Sequence, residues 1–168
     1  MPSSNYDYIN EYINERVNRD KEARELISDF ALLWNQYERT IFDGYHHIRD
    51  VRNKIDVMNI RILDVDNLLR RFKKYLKYRN IEYKSEYIKE AYRIKYNENF
   101  SRAYFEHIMK SKEIKDKLEF LLIIIARVRN NMFHGTKGPW ELTEQKELFR
   151  ICNETLMKVL EATYNLYT

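Results

Sequence analysis

The stretch FLLIIIARVRNNMFHG, Phe120 to Gly135, joins the most apolar run of the chain to a cluster of arginine, asparagine and histidine. Leu118, Leu121, Leu122, Ile125 and Val128 recur at helical spacing, while Ile123, Ile124 and Ala126 fill the remaining faces. A helix apolar nearly all round has to be covered on most sides, so this segment predicts the central rod of a helical bundle. The unbroken run from Phe120 to Ala126 is far shorter than the roughly 18 residues a membrane span needs.

Working outward, Ser111 is suited to open this helix, with Glu113 and Asp116 near the positive end of its dipole. Asn130, Asn131 and Gly135 are suited to end it, and HGTKGPW, His134 to Trp140, reads as a loop. A last helix is expected from near Thr143, with Glu144 and Glu147 in its first turn and Leu148, Ile151, Cys152, Leu156, Val159 and Leu160 inward. Upstream, Ala23 to Phe42 is a strong amphipathic helix, its inward stripe made by Leu26, Ile27, Phe30, Leu33, Trp34, Tyr37 and Ile41, with Gly44 as its C-cap. His47 to Ile62 has no clean period. Asp64 or Asp66 caps a further helix in which Val65, Leu68, Leu69, Phe72 and Leu76 face inward and Arg70, Lys73, Lys74 and Lys77 outward. Glu82 to His107 suggests two short, tyrosine-rich helices.

The composition agrees with an all-α chain. Three glycines and two prolines in 168 residues leave little turn chemistry for a many-stranded sheet. This length suits one domain. The organisation expected is an N-terminal helical arm over residues 1–20, with Tyr8, Ile9, Tyr12, Ile13 and Val17 at helical spacing, and a compact bundle over 21–168. A net charge of +4 tolerates a polyanion without identifying one. Cys152 is the single cysteine, no Cys/His spacing resembles a zinc site, and the first residues have no signal-peptide pattern; a cytoplasmic protein without membrane anchor, metal or cofactor is the expectation.

Arg129 and His134 are five positions apart, about 140° around an ideal helix, so they share a face only if the helix ends or distorts between them. RNNMFH, Arg129 to His134, resembles the Arg-x-x-x-x-His motif of HEPN domains, whose second position is typically polar and is Asn130 here. The context is similar too: an apolar helix leads in, HGTKG leads out, a final amphipathic helix follows, and ALLWNQYERTIF resembles the family's first core helix. The resemblance is tight over the motif and loose from about Ala23 to Tyr164. It implies a bundle of four core helices with short additional ones, and a metal-independent endoribonuclease of the toxin-antitoxin or phage-defence kind, acting on single-stranded RNA.

The residue types suit that chemistry. His134, with a reference pKa of about 6.5, can take the proton from a 2′-hydroxyl that attacks its own phosphate. Arg129 can meet the charge that develops on the phosphate oxygens with a fork of donors. Asn130 can orient either partner without changing the charge. Products would carry 2′,3′-cyclic phosphate ends, and DNA would resist. One Arg/His pair offers no evident acid for the leaving group, and the resemblance implies a homodimer in which two motifs line one cleft; the apolar central helix also suits cover by a second copy.

Other readings stand beside these. Without the family context, Arg129 and His134 read as cations at a helix C-terminus. A non-catalytic HEPN module that binds RNA, a nucleotide or a nucleotidyltransferase antitoxin is the rival function, and a purely structural helical adaptor is a third. Lys137 is a candidate phosphate contact. Glu38 is either a residue that reaches the cleft to tune His134 or Arg129, or a half-exposed helical carboxylate. The six basic residues between Arg70 and Arg79, interleaved with Tyr75 and Tyr78, could track RNA or form a solvated face. Adjacent His46 and His47 would diverge on a helix and lack a third ligand, which argues against a metal.

Overall fold

The computed structural model describes residues 20–60, 64–78, 107–108, 110–133 and 144–164, all of them helical or connecting, with no strand among them. The elements are α1 (Lys21–Phe42), a 3₁₀ turn at Ile48–Asp50 running into the short α2 (Val51–Asp56), α3 (Val65–Tyr78), α4 (Ile114–Phe133) and α5 (Lys146–Tyr164). Residues 1–19 of the N-terminal arm, the tyrosine-rich segment up to Glu106, and His134 and Lys137 lie outside the described residues. Among the described residues, no helix is long and apolar enough to cross a membrane.

α1 and α3 begin where a side chain satisfies a free N–H of the first turn. Asp20 accepts from the Ala23 N–H at 3.0 Å, and Asp64 from that of Asn67 at 3.2 Å. Ser111 does not itself start α4, which begins three residues later at Ile114; its hydroxyl accepts from the Glu113 N–H and donates to Asp116 at 2.5 Å. At the far end, α4 continues through Asn130 and Asn131 to Phe133, correcting the expectation that the asparagines end it. The periodic, well-bonded backbone of the rod carries straight through them because asparagine is a mediocre helix former, not a breaker.

α1 packs most extensively on α5, while α4 contacts α2, α3 and α5. Every side chain from Phe120 to Ala126 is buried within the single chain. α4 therefore requires no second copy to cover it, and the exposure argument for a dimer falls away. The inward positions expected on α3 and α5 are all buried, as are Phe30, Trp34, Tyr37 and Ile41 of α1; Leu26, Ile27 and Leu33 pack on the core while half-buried. Tyr75 is buried too, which removes it from any base-stacking face on α3.

Ion pairs tie the helices at their margins. Arg71 of α3 bridges Glu147, at 3.1 Å, and Glu154 of α5. Arg52 of α2 reaches Asp116 at 2.6 Å and Glu119 at 3.2 Å on α4. The Arg71 pairs are accessible and contribute little each, whereas Arg52 reaches the buried Asp116 and the mostly covered Glu119.

Truncating Leu156, fully buried on α5, to alanine should cost about 2–5 kcal/mol in urea unfolding. Leu32→Ser, at a position 71% exposed on α1, should stay within about 0.5 kcal/mol. Equal losses at the two sites would contradict this packing.

Candidate functional site

The chain leaving α1 folds back, so that residues 44–48 line a pocket together with α1 and α4. Asp43 ends α1 in the left-handed region at φ 53°, and Gly44 follows at φ 94°. The C-cap is thus Asp43 rather than Gly44, although the glycine accepts the second left-handed position that other residues resist. Both of their N–H groups donate to the Glu38 carbonyl, the Gly44 bond measuring 3.1 Å. The Glu38 side chain then accepts from the His46 N–H at 3.1 Å. One residue of α1 therefore both closes its own helix and pins the returning strand of chain.

This turn encloses a pocket of about 370 Å³. Trp34 and Glu38 line it from α1, Gly44, Tyr45, His46 and Ile48 from the returning segment, and Ala126, Arg129 and Asn130 from α4. Its size is at the lower end of the range for small-ligand sites. Three of the side chains singled out by sequence, Glu38, Arg129 and Asn130, thus share one pocket. The Asn130 Oδ1 accepts from Arg129 Nη1 at 3.1 Å, and the guanidinium lies 5.9 Å from the Trp34 ring centre. Ring face and amide together restrict where the arginine fork can go.

His46 is the member sequence reasoning missed. Its ring sits in an aromatic cage, with ring centres 4.5 Å from Phe42, 5.0 Å from Trp34 and 5.9 Å from Tyr37. Burial pushes its pKa down to about 4; Glu38 opposes the shift, and His47 and Arg129 add to it. The imidazole is therefore neutral at physiological pH. Two buried ring nitrogens of the pocket lining, Trp34 Nε1 and His46 Nε2, have no hydrogen-bond partner among the described residues. His47 points elsewhere, its ring 4.5 Å from Tyr45. The two histidines lie in a non-helical segment rather than on the helix the divergence argument assumed, and their rings have different neighbours. The signal for it in the sequence was the left-handed pair Asp43-Gly44, which reverses the chain just before it.

No protein-family model, curated protein or solved structure matches this chain. The likeness to HEPN domains is one of sequence, tight over residues 129–134 and loose from about Ala23 to Tyr164.

A histidine whose folded pKa lies below its unfolded value contributes stability that is present above pH 6.5 and is lost as pH falls toward 4. His46→Phe keeps a ring in the cage and removes the titration. Urea melts from pH 7 to 4.5 should therefore show wild type losing stability relative to the variant; a constant difference would mean that His46 is not held neutral.

Proposed function

We propose that the chain is a metal-independent endoribonuclease that cuts single-stranded RNA by attack of a 2′-hydroxyl on the adjacent phosphate, leaving a 2′,3′-cyclic phosphate. The observation that carries the reading is the pairing of Arg129 with Asn130 on the wall of a polar pocket, four residues before α4 reaches its last described residue, Phe133. An arginine held this way offers a fixed fork to phosphate oxygens. His134 supplies the base, and Lys137 a further phosphate contact. Glu38 acts on the cleft through the segment it pins rather than as a free helical carboxylate.

The chemistry calls for a second proton-transfer group at the leaving oxygen. A neutral His46 with its pKa near 4 is a poor source of that proton. A homodimer in which a second copy brings its own His134 meets the requirement, and this composite site, rather than cover for α4, is the reason to propose one. A cytoplasmic toxin or phage-defence effector, restrained by a nucleotidyltransferase-type antitoxin, is the biological setting we infer from the family resemblance. The rival, a non-catalytic HEPN module that holds RNA or a nucleotide, draws on the same pocket and differs in leaving RNA intact.

In EDTA, the protein should cleave single-stranded RNA and leave DNA intact. Arg129→Ala and His134→Ala should each lower the rate by roughly 10²-fold or more. Binding without cleavage selects the module. Cleavage that survives both substitutions removes the proposed chemistry altogether.

A further inference from the structure

We propose that the exposed ring of Tyr45, at the mouth of the Arg129 pocket, is a stacking platform for one base of the bound single-stranded RNA, whatever that base is. This rests on the reading of Arg129 as the phosphate contact in the same pocket.

Tyr45 differs from the aromatic residues around it. Trp34, Tyr37 and Phe42 are buried, whereas Tyr45 lines the pocket and is 68% exposed. Its backbone is nonetheless held at three consecutive N–H groups. That of Gly44 donates to the Glu38 carbonyl at 3.1 Å, that of Tyr45 to the Phe42 carbonyl at 3.2 Å, and that of His46 to the Glu38 carboxylate at 3.1 Å. The ring is braced as well. His47, whose backbone is extended at φ −111° and ψ 122°, packs its ring against that of Tyr45 with centres 4.5 Å apart and planes inclined at 63°. A side chain already fixed in this way loses little freedom when a ligand arrives, so more of the contact appears as affinity.

The surroundings select the occupant. A second protein copy would need a continuous apolar patch. Here the exposed neighbours on the same segment are Asp43, Gly44, His47 and Arg49, and the pocket beside the ring is lined by Glu38, Arg129 and Asn130. A lone aromatic face set among polar groups, next to an arginine, matches single-stranded nucleic acid, in which each base has a π-face and each link a phosphate. Stacking uses the face of the base and not its edge, so the platform tolerates any sequence.

Fluorescence anisotropy with labelled octamers of 2′-O-methyl RNA, which lack the attacking hydroxyl, tests binding apart from cleavage. Tyr45→Leu should weaken oligo(U), oligo(C) and oligo(A) by about five- to hundredfold, the scale of one base–aromatic stack. Tyr45→Phe should bind like wild type. An abasic octamer with the same phosphates should bind Tyr45→Leu and wild type equally. Arg129→Ala should weaken both kinds of octamer and flatten their salt dependence; if it weakens neither, the phosphate contact fails and the platform with it. Unchanged RNA affinity in Tyr45→Leu overturns the platform, and a shift in its oligomeric state would then make the ring a subunit contact. An equal loss on the abasic octamer, or a loss confined to one base, also overturns it. If RNA is cut with Arg129 and His134 required while Tyr45→Leu binds like wild type, the platform alone fails. If the stacking loss is found and natural RNA stays intact, the platform stands and the cleavage reading alone fails.

Discussion

A helix that is apolar on every side cannot rest against a single partner, and the seven residues from Phe120 to Ala126 impose that condition on the whole chain. Burying each large aliphatic or aromatic side chain is worth about 1.5–3 kcal/mol, so the cost of leaving one face of α4 wet would be a large part of a domain's stability. The other helices are placed to prevent it. α2, α3 and α5 contact α4, and α1 closes the bundle chiefly by lying on α5.

α1 is held mainly by α5, and the pocket lies between α1 and the later part of α4. What fills the gap is not a helix but the short segment after Asp43, steered by two consecutive left-handed residues and fastened through both the carbonyl and the carboxylate of Glu38. This arrangement buries an imidazole among aromatic rings, and His46 and Arg129 line the same pocket.

The helices were legible because their signals are local. Phe30, Trp34, Tyr37 and Ile41 on α1, and Leu148, Ile151, Cys152 and Leu156 on α5, repeat with the helical period and are buried as that period predicts. Boundaries were less legible: α4 runs past Asn130 and Asn131, and Ser111 spends its hydroxyl on Asp116 instead of opening the helix. Tyr75 likewise looked available between lysines, and only packing shows that it lies inside.

By itself, the sequence determined that the chain is helical, which faces turn inward, and that Arg129 and Asn130 stand together on the central rod, because each of these follows from residues within a few positions of one another. Tertiary structure alone decided that Glu38, His46 and Arg129 share a pocket. Glu38 and Arg129 are brought to one pocket from two helices far apart in the chain, and His46 by a reversal whose direction depends on left-handed dihedrals at Asp43 and Gly44. A periodicity records which side of a helix is dry; it carries no record of which polar side chain from another helix will arrive there.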